Sequence, residues 1–390
     1  MESIKEIYKI GNGPSSSHTI GPKRATEDFL KKGKFDFVKV TLFGSLALTG
    51  KGHLTDYIVD KTLGDIPHEI IFDTTTPTPH PNTIDFCGTE GDKTVKARYF
   101  SIGGGSIVEE GKPLDKKVDI YPFTTFSSIR KICFGSGNDL SDYVYSYEDA
   151  DIKDYLKKVK DTMFAAIERG ITTEGKLPGR LQIDRKAKRL YAKDDSGKNK
   201  LFAYAYAVSE ENACGGLIVC APTCGSCGVL PAVVKYSVEY DMIPEDRVID
   251  GLAVAGLIGN IVKENASISG AEAGCQAEVG TACAMAAAYY SYVRGMSLMH
   301  IEQAAEIALE HHLGLTCDPI YGYVQIPCIE RNAVAASRAV DAFTLARILD
   351  PEDVKITFDM VVHTMLETGK DLTYLYRETA IGGLAKTYTE

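Results

Sequence analysis

The rhythm of apolar and polar residues changes about a third of the way along the chain. Up to roughly residue 130 it mixes short β-rich runs with a helical stretch. The segment Phe37-Val38-Lys39-Val40-Thr41-Leu42-Phe43 predicts a half-buried strand. Residues 69–72 and 94–99 predict two more, and 115–120 a further one before Tyr121-Pro122. Residues 22–32 have amphipathic helical spacing, and the Thr- and Pro-rich stretch 74–81 predicts an exposed loop.

After Gly135 the pattern becomes helical. Residues 136–150 are polar and tyrosine-rich, as in a linker. Residues 151–169 place apolar side chains at helical spacing, with Gly170 as the expected C-cap, and 194–200 predict a polar loop. Helices are expected at 248–262, 271–294, 301–312, 330–349 and 357–368. Small residues surround the helix at 282–288, which implies a central, tightly packed position. The expected architecture is an α+β N-terminal domain over 1–135, a linker over 136–150, and a mostly all-α catalytic domain over 151–390.

Composition narrows the function classes. A chain of 390 residues suits two domains, and 44% hydrophobic with 25% charged residues excludes a disordered or collagen-like protein. The net charge of −10 argues against a nucleic-acid or anionic-membrane partner. Residues 1–13 lack the apolar core of a signal peptide. The longest apolar stretch, 251–259, is far shorter than the ~20 residues that span a bilayer. A cytoplasmic protein is expected. There, ten cysteines are packing residues, metal ligands or nucleophiles rather than disulfides. Cys87 and Cys133 stand alone, and the other eight lie between Cys214 and Cys328.

Several segments have the composition of a site, each with a plainer structural reading. Gly11-Asn12-Gly13-Pro14-Ser15-Ser16-Ser17-His18-Thr19 reads as a turn leading to a helix start, where backbone N–H groups can hold a carboxylate, or as an ordinary serine-capped turn. In the glycine-punctuated segment 44–53, His53 is a base, a substrate donor or a structural histidine. Ser101-Ile102-Gly103-Gly104-Gly105 is not a dinucleotide fingerprint. Cys224-Gly225-Ser226-Cys227 lacks the second pair that zinc wants, so packing is its first reading. Asn265-Ala266-Ser267-Ile268-Ser269-Gly270 breaks one helix and starts another, with Ser269 as N-cap. Cys275 is expected in the early turns of that helix, Cys317 past a helix end, and Cys328 after Pro327 at a helix entry. Thiolates at such termini suit a soft iron–sulfur site. Cys283, inside the Ala-rich helix, reads as packing, and spacing alone does not separate ligand cysteines from the rest.

Taken together, these segments resemble the iron–sulfur-dependent L-serine dehydratases of bacteria, in their single-chain form. The likeness runs through 13–19, 44–53 with Thr55-Asp56, 101–105, Thr173-Glu174-Gly175, Leu177-Pro178-Gly179, Glu211-Asn212 and Ala221-Pro222-Thr223. It continues through 265–280, 311–319, 325–333, 367–371 and 377–385. The resemblance implies a [4Fe–4S] cluster on Cys275, Cys317 and Cys328, with one iron open to L-serine. It implies an active site expected between an effector-binding type of α+β domain and the helical domain, with His53 as the site histidine: either the candidate base, or a carboxylate binder with a cysteine thiolate or a loop serine as the base. Ser15, Ser16, Ser17, His18, Thr19, Asn265, Ser267 and Ser269 would hold the substrate's carboxylate and ammonium. A cysteine that many relatives carry after the Gly-Gly-Leu-Ala segment has no counterpart after Gly382-Gly383-Leu384-Ala385, and the segment between Gly44 and Ser101 looks short. A homodimer is the default from symmetry. The rivals are a pyridoxal-phosphate dehydratase, for which neither Lys23 nor Lys51 has the right setting, and a non-enzymatic serine or redox sensor.

Overall fold

The structure, a computed structural model, describes residues 1–112, 118–193 and 197–389. It divides into two compact units, one of Gly11–Lys116 with Cys214–Gly216, the other of Met1–Ile10, Lys117–Ala213 and Leu217–Glu390.

In the first unit, alternation along Phe37–Phe43 turns Val38, Val40 and Leu42 inward. This strand pairs in parallel with His68–Asp73 and antiparallel with Thr83–Glu90. Lys93–Gly103 and Ser106–Glu109 extend the antiparallel side, giving a mixed five-stranded sheet. The helices Gly21–Leu30 and Thr55–Leu63 bring Ala25, Phe29, Ile58, Val59 and Leu63 onto the sheet residues Val40, Leu42, Phe86 and Tyr99. Phe29 stacks on Phe35 and Phe86 at 4.7 and 4.9 Å between ring centroids.

Three expected strands and the first helix are present; Thr83–Glu90 and Ser106–Glu109 are additions. Thr83–Glu90 escapes a propensity reading because Asp85, Gly88 and Glu90 dilute its β-formers. Gly88 is there for space, since a Cβ would lie 2.5 Å from the Phe35 ring. Of the strand expected at 115–120, residues 115–117 lie outside the described residues, and 118–120 form no strand.

The helical unit is built around Thr281–Val293, every residue of which is buried. Its alanines let Val229–Tyr240, Glu245–Asn265, Leu298–Glu310 and Cys328–Ile348 pack against it. The helix expected at 271–294 is broken. Gly274 adopts φ +75°, a left-handed conformation natural to glycine, and a Cβ there would meet the Leu315 carbonyl at 2.8 Å. The result is a short helix Gly270–Ala273, a π-turn Gln276–Gly280, and Cys275 at the junction.

Gly170 is not a C-cap. The helix Ile152–Thr172 runs through it, and the glycine makes room for close packing, since a Cβ would fall 2.5 Å from Ala207 of the helix Gly197–Ala213. Of the loop expected at 194–200, residues 194–196 lie outside the described residues, and 197–200 already belong to that helix. The segment 136–150 contains the helix Leu140–Tyr145, opened by an Asp139/Asp142 capping box. No described helix is long and apolar enough to cross a membrane.

Candidate functional site

In the α/β unit the Ser- and His-rich loop folds into a buried polar nest. Ser15 caps the π-turn Ser16–Ile20, its hydroxyl accepting from the His18 N–H at 3.2 Å. Ser16 opens the turn and its carbonyl accepts the Gly21 N–H. Ser17 Oγ meets His18 Nδ1 at 2.9 Å, and Ser45 Oγ meets His18 Nε2 at 3.0 Å. The Thr19 hydroxyl donates to the His53 carbonyl at 2.8 Å, and the Thr55 hydroxyl to the His18 carbonyl at 2.6 Å. Ser101, from the glycine-rich strand end, donates to the Ser17 carbonyl at 2.7 Å.

The two imidazoles lie 4.6 Å apart between centroids. His53 Nδ1 is 3.1 Å from the Thr49 carbonyl. A carbonyl only accepts, so Nδ1 bears the proton and Nε2 bears the lone pair. Among the described residues Nε2 has no partner, although His53 is only 3% exposed. Burial lowers the His53 pKa from 6.5 to about 4, and burial with the neighbouring His53 holds His18 well below its usual value. His53 is therefore neutral at pH 7 and offers an aimed, unshared acceptor.

In the helical unit a second group forms from three places in the chain. Sγ of Cys275, Sγ of Cys317 and a carboxylate oxygen of Glu278 lie within 4.8 Å of one another. Cys328, the first residue of its helix, falls outside that tight group, but its thiol lies within electrostatic reach of Cys275 and Glu278. All three cysteines are buried, at 3%, 4% and 8% exposure. The Cys317 thiol is pushed up by its hydrogen bond with Cys275 and by burial, and that of Cys328 by burial and then the Cys275 charge.

Burial raises Glu278, although the Thr223 hydroxyl at 2.7 Å and the nearby Arg331 charge pull the other way. Burial, then Glu278, lifts Glu378 to about 8. Arg331 hydrogen-bonds Cys275, the Thr316 carbonyl at 2.5 Å and Asp318 at 3.2 Å. The Cys317 N–H donates to the Tyr376 carbonyl and the Glu378 N–H to the Cys317 carbonyl, each at 2.8 Å, so the C-terminal segment is stitched along Cys317. Buried thiols beside half-buried carboxylates, with so little compensating charge, are a donor set that could hold a metal.

Other expected residues sit nearby in the sequence with local tasks. The Asn265 amide donates to the Thr124 and Ile261 carbonyls at 2.6 and 2.8 Å. Ser267 donates to Glu272 at 2.5 Å and accepts from the Ser269 N–H at 3.0 Å. Ser269 occupies the N-cap position, but its side chain makes no capping bond. Cys283 is fully buried and bonds the Ala335 carbonyl at 3.2 Å. Cys224 contacts Cys220, with 3.0 Å between the sulfurs, rather than using the C-x-x-C spacing to Cys227. Ser45, Thr223, Glu278 and Arg331 were not among the expected site residues. All four lie in segments that carry the family likeness, but no spacing singled them out.

Two family patterns match the chain: the serine dehydratase beta chain over residues 3–66 and the serine dehydratase alpha chain over residues 57–385. The L-serine dehydratase 2 of Escherichia coli (strain K12) is 40% identical over 452 aligned positions, covering 99% of this chain and 98% of the relative. The L-serine dehydratase of Haemophilus influenzae is 39% identical, covering 99% of both. That of Streptomyces coelicolor is also 39% identical, covering 100% of this chain and 99% of the relative.

An α/β region followed by a largely helical one is the order of those two patterns, joined in a single chain. The chain belongs to the L-serine dehydratase family.

Proposed function

We propose that the protein dehydrates L-serine to aminoacrylate, which hydrolyses to pyruvate and ammonia. The observation that carries this reading is the similarity at about 40% identity across 99% of the chain. The donor chemistry supports a metal-assisted route. Cys275, Cys317 and Cys328 would hold a [4Fe–4S] cluster, since the Cys317 thiol, pushed up by its hydrogen bond with Cys275 and by burial, and the Cys328 thiol, pushed up by burial, need a soft cation to become stable thiolates. When bound, such a cluster supplies a Lewis acid for the serine hydroxyl, a poor leaving group as hydroxide.

The chain's own residues do the rest. His53 Nε2 takes the α-proton: a carboxylate binder would have to offer an N–H there, whereas this nitrogen offers a lone pair. The N–H groups and hydroxyls of Ser15, Ser16, Ser17 and Thr19, with His18, bind the substrate carboxylate. Asn265, Ser267 and Ser269 contribute the remaining polar contacts to the amino acid. A cytoplasmic homodimer completes the reading.

The test is to purify the protein without oxygen, record its visible spectrum, and assay pyruvate from L-serine before and after exposure to air. A broad band near ~400 nm that bleaches together with the activity is expected. A colourless protein equally active in air would overturn the metal assignment.

A further inference from the structure

The helical unit also contains a cavity of about 290 Å³ that shares no residue with the nest or the cysteine group. It lies where the helix Phe126–Ser136 turns into Leu140–Tyr145 and where Thr281–Val293 turns into Leu298–Glu310. Gly137 and Gly295 stand at those turns, both at φ +73°, and a Cβ on either would meet nothing within 4 Å. The turns therefore leave the space open. Buried Leu140 and Ile301, with Met296, Leu298 and the 63% exposed Phe134, give it an apolar lining.

Two opposite charges enter that lining, both held by Tyr292. The buried Tyr292 hydroxyl donates to Asp139 Oδ2 at 2.8 Å. The Arg247 guanidinium lies over the Tyr292 ring, 3.8 Å from its centroid, and donates an N–H to the Tyr292 carbonyl at 2.6 Å. Among the described residues no carboxylate pairs with Arg247, so its remaining N–H groups are available to an anion. Asp139 Oδ1 is taken up by the N–H groups of Ser141 and Asp142, at 2.8 and 3.0 Å, whereas Oδ2 keeps a lone pair.

An anion alone would be repelled by Asp139 and a cation alone by Arg247, whereas a zwitterion suits both. We infer that this cavity binds a free α-amino acid with a branched or aromatic apolar side chain. Arg247 takes the carboxylate and Asp139 the ammonium, while the apolar lining covers the side chain. That lining calls for a hydrocarbon group rather than the hydroxymethyl group of serine.

The test is isothermal titration of the full-length, anaerobically purified protein with L-leucine and with L-phenylalanine. At least one should bind with a Kd at or below about 1 mM. Its counterpart without the ammonium, isocaproate or hydrocinnamate, should bind at least about tenfold more weakly. The counterpart without the carboxylate, isoamylamine or phenethylamine, should lose at least about as much. Arg247→Gln and Asp139→Asn should each weaken the amino acid about ten- to a hundredfold. Asparagine also serves as an N-cap, so Asp139→Asn keeps the helix start. Melting curves check that both variants fold, and if Arg247→Gln does not, Asp139→Asn decides. Binding of neither amino acid, wild-type affinity in a folded variant, or a deaminated counterpart that binds as tightly as its amino acid would each overturn the proposal.

Discussion

The polar nest of the α/β unit and the cysteine group of the helical unit bury polar atoms in opposite ways. Among the described residues nearly every donor in the nest has an acceptor, and one buried atom, His53 Nε2, is left over. A satisfied network holds its members in one geometry, so the single unsatisfied atom is aimed. In the cysteine group the anionic forms of the thiols and carboxylates repel one another, with Arg331 as the cation bonded among them. Cys317, Cys328, Glu278 and Glu378 are therefore all pushed towards their protonated forms. The nest is pre-organised by hydrogen bonds, whereas the thiol group is a donor set that could hold a metal.

The largest expected effect breaks the thiol side. Cys275→Ala, Cys317→Ala and Cys328→Ala should each abolish pyruvate formation together with the visible absorbance. Full activity in any one would remove that cysteine from the ligand set. Next comes the nest: His53→Ala should keep the absorbance yet lower kcat about 10²–10⁴-fold, the range of a general base. Normal turnover in that variant would refute the role.

The third effect is pH-dependent stability. Burial lowers His53 and His312 from 6.5 to about 4. Between those values the unfolded chain binds the protons first, so stability is full above pH 6.5 and falls as pH drops towards 4. Each histidine contributes up to about 3 kcal/mol. Urea midpoints at pH 7 and pH 4.5, compared with those of His53→Gln, measure the slope; equal slopes would mean that His53 is not held neutral. The smallest effect is Ser45→Ala, which removes the hydroxyl at His18 Nε2 and should cost about 0.5–1.5 kcal/mol in thermal unfolding. A larger loss would show that the network acts as a unit.

Much of the fold was legible because periodicity reports burial. Phe37–Phe43, the buried Ala-rich helix and Phe358–Asp371 were all expected from pattern. Thr83–Glu90 and the interior role of Gly170 were not, since both depend on what lies opposite: the Phe35 ring for Gly88 and Ala207 for Gly170. The candidate site divides the same way. The family resemblance pointed to His53 and the three cysteines. Neither spacing nor resemblance indicated that Ser45 would meet His18 across 27 positions, or that Thr223 would hold Glu278 across 55.

By itself, then, the sequence determined the alternation that makes the sheet, the small residues that make the central helix, and the supply of thiols, hydroxyls and imidazoles. The tertiary structure alone decided which of them are brought together and in what state. Gly274 breaks a helix and sets Cys275 beside Cys317, 42 positions away; burial then lowers His53, and the hydrogen bond with Cys275 together with burial pushes the Cys317 thiol up. The physical reason is that hydrophobic period is a local property, whereas desolvation and charge pairing depend on neighbours that the chain supplies only once it has folded.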